Sequence, residues 1–257
     1  MRRAAALGLA ALVLAPASAG ASTTRPKLAL TATPAHVAIA GSGLATVRVM
    51  NPGRGSVSVD VARAGFSLDR RGRPRIGRRG GLRAATAWLA VRPRRFVLRP
   101  GASRVLTVRS RVPRHAEPGD HDALVLLTTR RRRHAAVALR MRIGVVVVVR
   151  APGRVVRRLA LRRMHVRRTR RIRVLELVVA NRGNVTETLE RGRIRVVLRR
   201  GRVRARLRNV ARELRPRTSG VVQLRYGGRL RGRFTVRAWI VGPPGTHPVE
   251  RTFWIRL

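Results

Sequence analysis

The densest grouping of side chains able to do chemistry is His115-Ala116-Glu117-Pro118-Gly119-Asp120-His121-Asp122, with two imidazoles and three carboxylates. A metal ion would need those donors to converge on one point. The Pro118-Gly119 pair in their midst argues instead for a turn, where the acids offset neighbouring arginines. No metal and no cofactor is expected. Hydrolysis would need a nucleophile, a base and an orienting acid held together. No serine stands in a G-x-S-x-G pattern, and the 10 acidic residues are scattered without a convincing carboxylate pair. The absence of cysteine excludes disulfides, thiol catalysis and thiolate metal sites. The residues therefore point to a protein that is not an enzyme.

Charge is the second chemical resource. There are 59 basic residues against 10 acidic ones, a net charge of +49, and Lys27 is the sole lysine. Arginine is clustered at Arg70-Arg71, Arg78-Arg79, Arg130 to Arg133, Arg167-Arg168 and Arg170-Arg171. Guanidinium groups grip phosphate and carboxylate in paired hydrogen bonds, so Arg78, Arg79, Arg130, Arg131, Arg132 and Arg133 are the candidate polyanion-binding residues. Much of the remaining arginine stands one residue from a Val or Leu. It fits codon bias in a GC-rich bacterial genome, with the alkyl stem covering apolar surface and the charge left wet. Nucleic acid is a poorer partner, because aromatics are only 3% of the chain and lie within strands. Trp88, Trp239 and Trp254 offer faces for sugar stacking, but their apolar contexts predict core packing.

The elements that would position these residues are short strands. Met1-Arg2-Arg3, the apolar run Ala4 to Ala15 and the small residues before Ser22 match a secretory signal, with cleavage expected after Ala21. An uncleaved anchor is the alternative, for which the run is short. Residues 22–27 form a linker. Residues 28–150 and 153–257 are the two expected domains, divided at Ala151-Pro152-Gly153. Val57, Val59 and Val61 alternate with Ser58 and Asp60, a period-two strand. Strands are expected at Ala87 to Val91, Phe96 to Leu98, Arg104 to Val112, Ala123 to Leu127 and Ala135 to Val149, with an exposed, mobile loop from Asp69 to Gly81. In the second half they are expected at Val155 to Leu161, Ile172 to Ala180, Ile194 to Leu198, Val203 to Leu207, Val221 to Tyr226, Phe234 to Val241 and Val249 to Ile255. Pro and Gly between strands, with no sustained helical periodicity, predict two antiparallel sandwiches. Both halves carry an apolar strand ending in Asn-x-Gly (Asn51 to Gly53, Asn181 to Gly183) and later Leu-Arg-Pro (Leu98 to Pro100, Leu214 to Pro216), a divergent internal repeat.

Taken together, Asn51-Pro52-Gly53, Trp88 with Pro93, Phe96-x-Leu98-x-Pro100-Gly101, Val112-Pro113 and Pro118-Gly119 before an apolar strand resemble the pilus-chaperone-like immunoglobulin fold. Within it, residues 28 to about 149 are most similar to the first domain of the WxL-interacting, peptidoglycan-binding surface proteins of Gram-positive bacteria. The Asn181 region resembles the immunoglobulin-like module that follows it there. Those proteins usually end in a transmembrane helix and basic tail, where this sequence ends in Phe253-Trp254-Ile255-Arg256-Leu257. The resemblance implies all-β structure, two tandem immunoglobulin-like sandwiches after the signal, and a secreted or cell-surface location. It also implies contact with peptidoglycan, an anionic wall polymer or another surface protein, with membrane contact peripheral at most. Two other functions are weighed: chaperoning by β-strand addition, with Val137, Leu139, Met141 and Ile143 on one face of a donor strand, and binding of nucleic acid to one basic face. An edge position for the strand Ala135 to Val149 favours chaperoning; burial between two strands excludes it.

Overall fold

In the strand Gly43–Met50, Val47 and Val49 are buried while Arg48 and Met50 are exposed, and this alternation builds most of the molecule. A computed structural model describes residues 29–77, 84–130, 140–168, 173–226, 231–242 and 248–257. The first sandwich contains β1 (Thr31–Thr33), β2 (His36–Ala40), β3 (Gly43–Met50), β4 (Val57–Leu68), β5 (Pro74–Gly77), β6 (Leu89–Arg92), β7 (Arg95–Leu98), β8 (Ser103–Ser110), β9 (Gly119–Thr129) and β10 (Arg142–Ala151). One sheet runs β1-β3-β8-β6 and the facing one β2-β10-β9-β4-β5, with β7 also on β4. Leu106, Val108, Val125, Leu127, Val147 and Val149 are buried between the two sheets.

The second sandwich contains β11 (Leu159–Arg168), β12 (Arg173–Asn181), β13 (Glu187–Leu189), β14 (Ile194–Arg200), β15 (Val203–Arg208), β16 (Arg212–Leu214), β17 (Ser219–Tyr226), β18 (Arg233–Ile240) and β19 (Val249–Arg256). Its sheets are β11-β12-β17, the pair β13-β16, and β15-β14-β18-β19. Its own core holds Leu175, Leu177, Leu198, Leu224 and Val236. The fold is thus all-β and made of two immunoglobulin-type sandwiches, as the alternation predicts.

The internal repeat has a structural cause. Asn51 and Asn181, 0% and 1% exposed, each close a strand. The Asn51 amide donates to the carbonyls of Gly55 at 2.8 Å and Leu98 at 3.1 Å, and its Oδ1 accepts from Gly53 N. The Asn181 amide donates to Val185 at 2.8 Å and Leu214 at 3.0 Å, and its Oδ1 accepts from Gly183 N. The backbone follows suit: Asn51 N–H donates to Ala102 O, and Asn181 N–H to Thr218 O. One buried amide per domain therefore ties the end of a core strand to the Leu-Arg-Pro turn. That turn next requires a left-handed residue, Gly101 at φ 74° in the first copy and Arg217 at φ 58° in the second.

Three expectations need correction. Residues 86–88 form a single 3-10 turn and β6 starts only at Leu89, because Trp88 N–H closes the turn on Ala85 O instead of joining a strand ladder. Residues 155–158 lie outside the strands, β11 starting at Leu159, because the Asn181–Asn184 turn holds them: Arg158 O accepts from Arg182 N–H, Val156 O from Asn184 N–H, and Val156 N–H donates to Asn184 Oδ1. The charged stretch from Asp69 is no free loop: Asp69 Oδ1 accepts from the Arg71 and Arg73 amides, and β5 pairs with Gly65–Leu68 of β4. Its turn is docked on the second domain, where Val221 N donates to Arg70 O at 2.7 Å and Arg212 Nη1 to Arg71 O at 2.9 Å. Residues 78–83 lie outside the described residues.

Replacing Asn51 or Asn181 by Ala removes the partner of a buried Leu carbonyl and of a buried Gly amide, and each is expected to lower unfolding stability by about 2–4 kcal/mol in urea titrations. Arg217→Gly relieves the left-handed side chain and is expected to raise stability by roughly 1 kcal/mol.

Candidate docking edge and interdomain cleft

Of the sequence-predicted basic site, Arg130 alone lies among the described residues. Arg130 is engaged: its Nε and Nη2 donate to the two Asp60 oxygens at 2.7 and 2.9 Å, and Arg95 reaches the same carboxylate at 3.3 Å. The Arg130 hydrogen bond holds the Asp60 carboxyl below its ordinary value. Arg78, Arg79, Arg131, Arg132 and Arg133 lie outside the described residues.

The His115 to Asp122 grouping is pulled apart by strand alternation. His121 faces the first core, its ring 4.3 Å from Trp88 and its Nε2 2.7 Å from the Glu117 carbonyl. Asp120 and Asp122 project from the other side of β9, and His115 is exposed. No group of three metal-ligating side chains converges among the described residues.

Core packing fails as a description of Trp254, which is 81% exposed, whereas Trp88 and Trp239 are half-buried. A strand cannot turn three consecutive residues inward. Phe253 and Ile255 take the core face, so Trp254 must point out.

The edge of the first sandwich is set by β10. It pairs with β9 from Arg142 to Ala151, but on its other side β2 pairs in parallel only over Val146–Arg150. Residues Arg142 to Val145 thus have no strand on that side among the described residues. Val146 N–H points outward to Ala35 O, and Thr129 N–H bonds inward to Met141 O. By the same alternation Arg142 and Gly144 aim their amides at the open side. Met141 and Ile143 pack against the core on the face that Val145, Val147 and Val149 continue; Val137 and Leu139 lie outside the described residues. The expected edge position therefore fails over Val146–Arg150, which lie between β9 and β2 and are excluded from strand addition, and holds among the described residues only over Arg142–Val145.

A cleft of about 470 Å³ lies between the domains, lined by Phe66, Leu68, Asp122, Arg212, Glu213 and Arg215 among others. Arg215 Nη1 bonds Asp122 Oδ2 at 2.8 Å, with its guanidinium 3.8 Å from the Phe66 ring centroid. Burial pushes the Asp122 carboxyl up to about 6, against the pull of Arg215, and burial lowers the Arg215 value in turn. Asp122 Oδ1 and Arg215 Nε are buried with no hydrogen-bond partner among the described residues. Beside them Asp120 accepts from Arg150 Nε at 2.7 Å and from the Thr186 amide at 2.7 Å. Burial would raise Asp120, but those donors hold it below its ordinary value. Gly119, at φ 107°, lets β9 approach the second domain: a β-carbon there would lie 2.1 Å from the Asn184 carbonyl oxygen.

This cleft was illegible in the sequence, since residues 117–122 and 212–217 are far apart in the chain; the paired Leu-Arg-Pro motifs were its only trace.

No protein-family model matches this sequence, and no curated protein is similar to it. Solved structures are. One belongs to work on a chaperone–tip adhesin complex in CFA/I fimbriae biogenesis; it is 11% identical, with 87% of this chain and 98% of that chain covered and a TM-score of 0.51. Another, the class 5 fimbriae chaperone CfaA, is 10% identical over 87% of this chain and 98% of that one, with a TM-score of 0.50. At this identity the likeness is one of fold. The chain has the pilus-chaperone type of immunoglobulin-like sandwich.

Two outcomes follow from the cleft. Because the folded Asp122 value is raised, folding takes up a proton between about pH 4 and pH 6, and the stability withheld at neutral pH returns as the pH falls. Comparison of Tm for wild type and Asp122→Asn should move in favour of wild type by on the order of 2 kcal/mol between about pH 7 and pH 4. A flat or opposite trend shows an ordinary paired carboxylate. Gly119→Ala is expected to cost about 2 kcal/mol or more and to split thermal unfolding into two transitions, read by calorimetry.

Proposed function

We propose that this chain is an exported, non-enzymatic binding protein that holds an extended segment of a partner protein as an added strand on the open edge of β10. The observation that carries this is the incomplete cover of that strand, with β2 reaching only Val146–Arg150 and the outward amides of Arg142 and Gly144 left for another chain. The arrangement supplies main-chain hydrogen bonds for affinity. The fold likeness supports the same reading, because one similar structure comes from work on a chaperone–tip adhesin complex and another is a fimbriae chaperone. The partner would be a surface protein. Export rests on residues 1–21 read as a signal, and no helix among the described residues is long and apolar enough to cross a membrane. A scaffold that grips peptidoglycan or an anionic wall polymer through Arg78, Arg79 and Arg130 to Arg133 has less support, since Arg130 is already committed to Asp60.

Gly144→Pro tests the proposal. Proline removes the outward amide only, leaving the ladder to β9 intact, as on natural edge strands. Peptides about eight residues long with apolar residues at alternate positions should bind the wild type and protect the Arg142 and Gly144 amides from hydrogen exchange. The proline variant should keep its Tm and lose at least about tenfold in affinity. Equal binding by both proteins, or protection elsewhere, would refute strand addition at this edge.

A further inference from the structure

The outer face of the sheet β15-β14-β18-β19 carries two tryptophans in opposite situations. Trp239 is half-buried and capped: the Arg237 guanidinium lies 5.5 Å from its ring centroid and is itself held by Glu250, directly opposite Trp239 on β19. Trp254, further along β19, is 81% exposed, and among the described residues no ring or guanidinium stacks on it. Its neighbours are cations. Arg204, Arg199, Thr235 and Trp254 stand in one row across the four strands, and Arg233 faces Arg256 in the next. Adjacent strands are about 4.8 Å apart, so this is one continuous platform. None of Arg199, Arg204, Arg233 and Arg256 is ion-paired among the described residues. The shallow depression around Trp254 has no acidic residue in its lining, in a chain whose carboxylates elsewhere neutralise arginines.

We infer that this face binds a linear acidic polysaccharide, with a sugar ring lying on the Trp254 indole and its carboxylate or phosphate groups held by Arg199, Arg233 and Arg256. An exposed indole needs a partner with a flat, C–H-bearing face; the arginines need anions spaced at strand intervals on the same molecule. An acidic glycan offers both in every repeat. Single-stranded nucleic acid also combines a flat ring with an anion, but its platforms stack successive bases on several aromatics. Here the positions around Trp254 are Arg and Thr. This surface belongs to the second domain and is separate from the β10 edge.

A chain of charge +49 attracts every polyanion at low salt, so the test must isolate the part of binding that depends on Trp254. Uronic-acid oligosaccharides from alginate are titrated at physiological salt, following tryptophan fluorescence and heat, with a neutral dextran oligosaccharide and oligo-deoxythymidine as comparisons. Trp254→Ala is expected to weaken alginate binding about tenfold, and Arg199→Gln with Arg256→Gln to weaken it further and flatten its salt dependence. Arg104→Gln with Arg109→Gln, exposed on the first domain, should leave it unchanged. Trp254 is nearly free of packing, so unchanged Tm values confirm that the fold persists. Equal binding by Trp254→Ala and wild type overturns the proposal. So does tighter, Trp254-dependent binding of oligo-deoxythymidine, or binding of dextran as strong as that of alginate.

Discussion

Carboxylates are the scarce component of this molecule, and the joint between its two domains is where several of them are used. The Asp120 carboxylate links Arg150 at the end of β10 to the Thr186 amide in the second sandwich. Asp122 meets Arg215, Glu176 meets Arg71 of the β4–β5 turn, and Glu117 lies 3.7 Å from Arg217. These bonds are unequal. The exposed Glu117–Arg217 contact adds little, as surface pairs do. Asp120, which is 1% exposed and accepts from the Thr186 amide across the joint and from Arg150 on the neighbouring β10, fixes geometry. Asp122 is costly to keep ionised where it is, so it orients the domains more than it stabilises them.

The joint bears directly on the open edge. Asp120 sits near the start of β9 and Arg150 near the end of β10, opposite each other in the ladder. The pair therefore secures the closed end of the strand whose other end, Arg142 to Val145, is uncovered. Gly119, Pro118 and Asn184 meet at the same place: Asn184 Nδ2 donates to Pro118 O, and Asp120 N–H to Asn184 O. One end of β9-β10 is clamped to the second domain, and towards the far end Arg142 to Val145 have no second strand beside them among the described residues.

How far the sequence reveals this depends on the range of each interaction. Period-two alternation is local, so the strands and the all-β class are legible from Val57 to Val61 and from Phe234 to Ile240 alone. The two buried asparagines are legible as a repeat, because each acts on a glycine two residues on and on a Leu-Arg-Pro turn of fixed type. Bounds shift where tertiary contact decides, as at Trp88 and at residues 155–158. The charged turn at Asp69 reads as free because its partners, Arg212 and Val221, lie in the other domain. The cleft has the same origin: Phe66, Asp122 and Arg215 come from three distant segments.

Trp254 shows the other way in which composition misleads. Its neighbours are apolar, yet an apolar neighbourhood along a strand says little about the face, since adjacent residues always part company. The parity of β19 is fixed by its pairing with β18: Phe253 opposite Val236 and Ile255 opposite Phe234 are buried pairs, and the tryptophan between them is opposite Thr235 on the wet side. The same rule places Arg233 and Arg256 beside it. Arg233, Arg237 and Arg256 thus fall on the face that the valines and leucines do not claim. Where a carboxylate stands opposite, as Glu250 does for Arg237, the charge is consumed within the fold; where Thr235 and Trp254 stand instead, it is left facing outward.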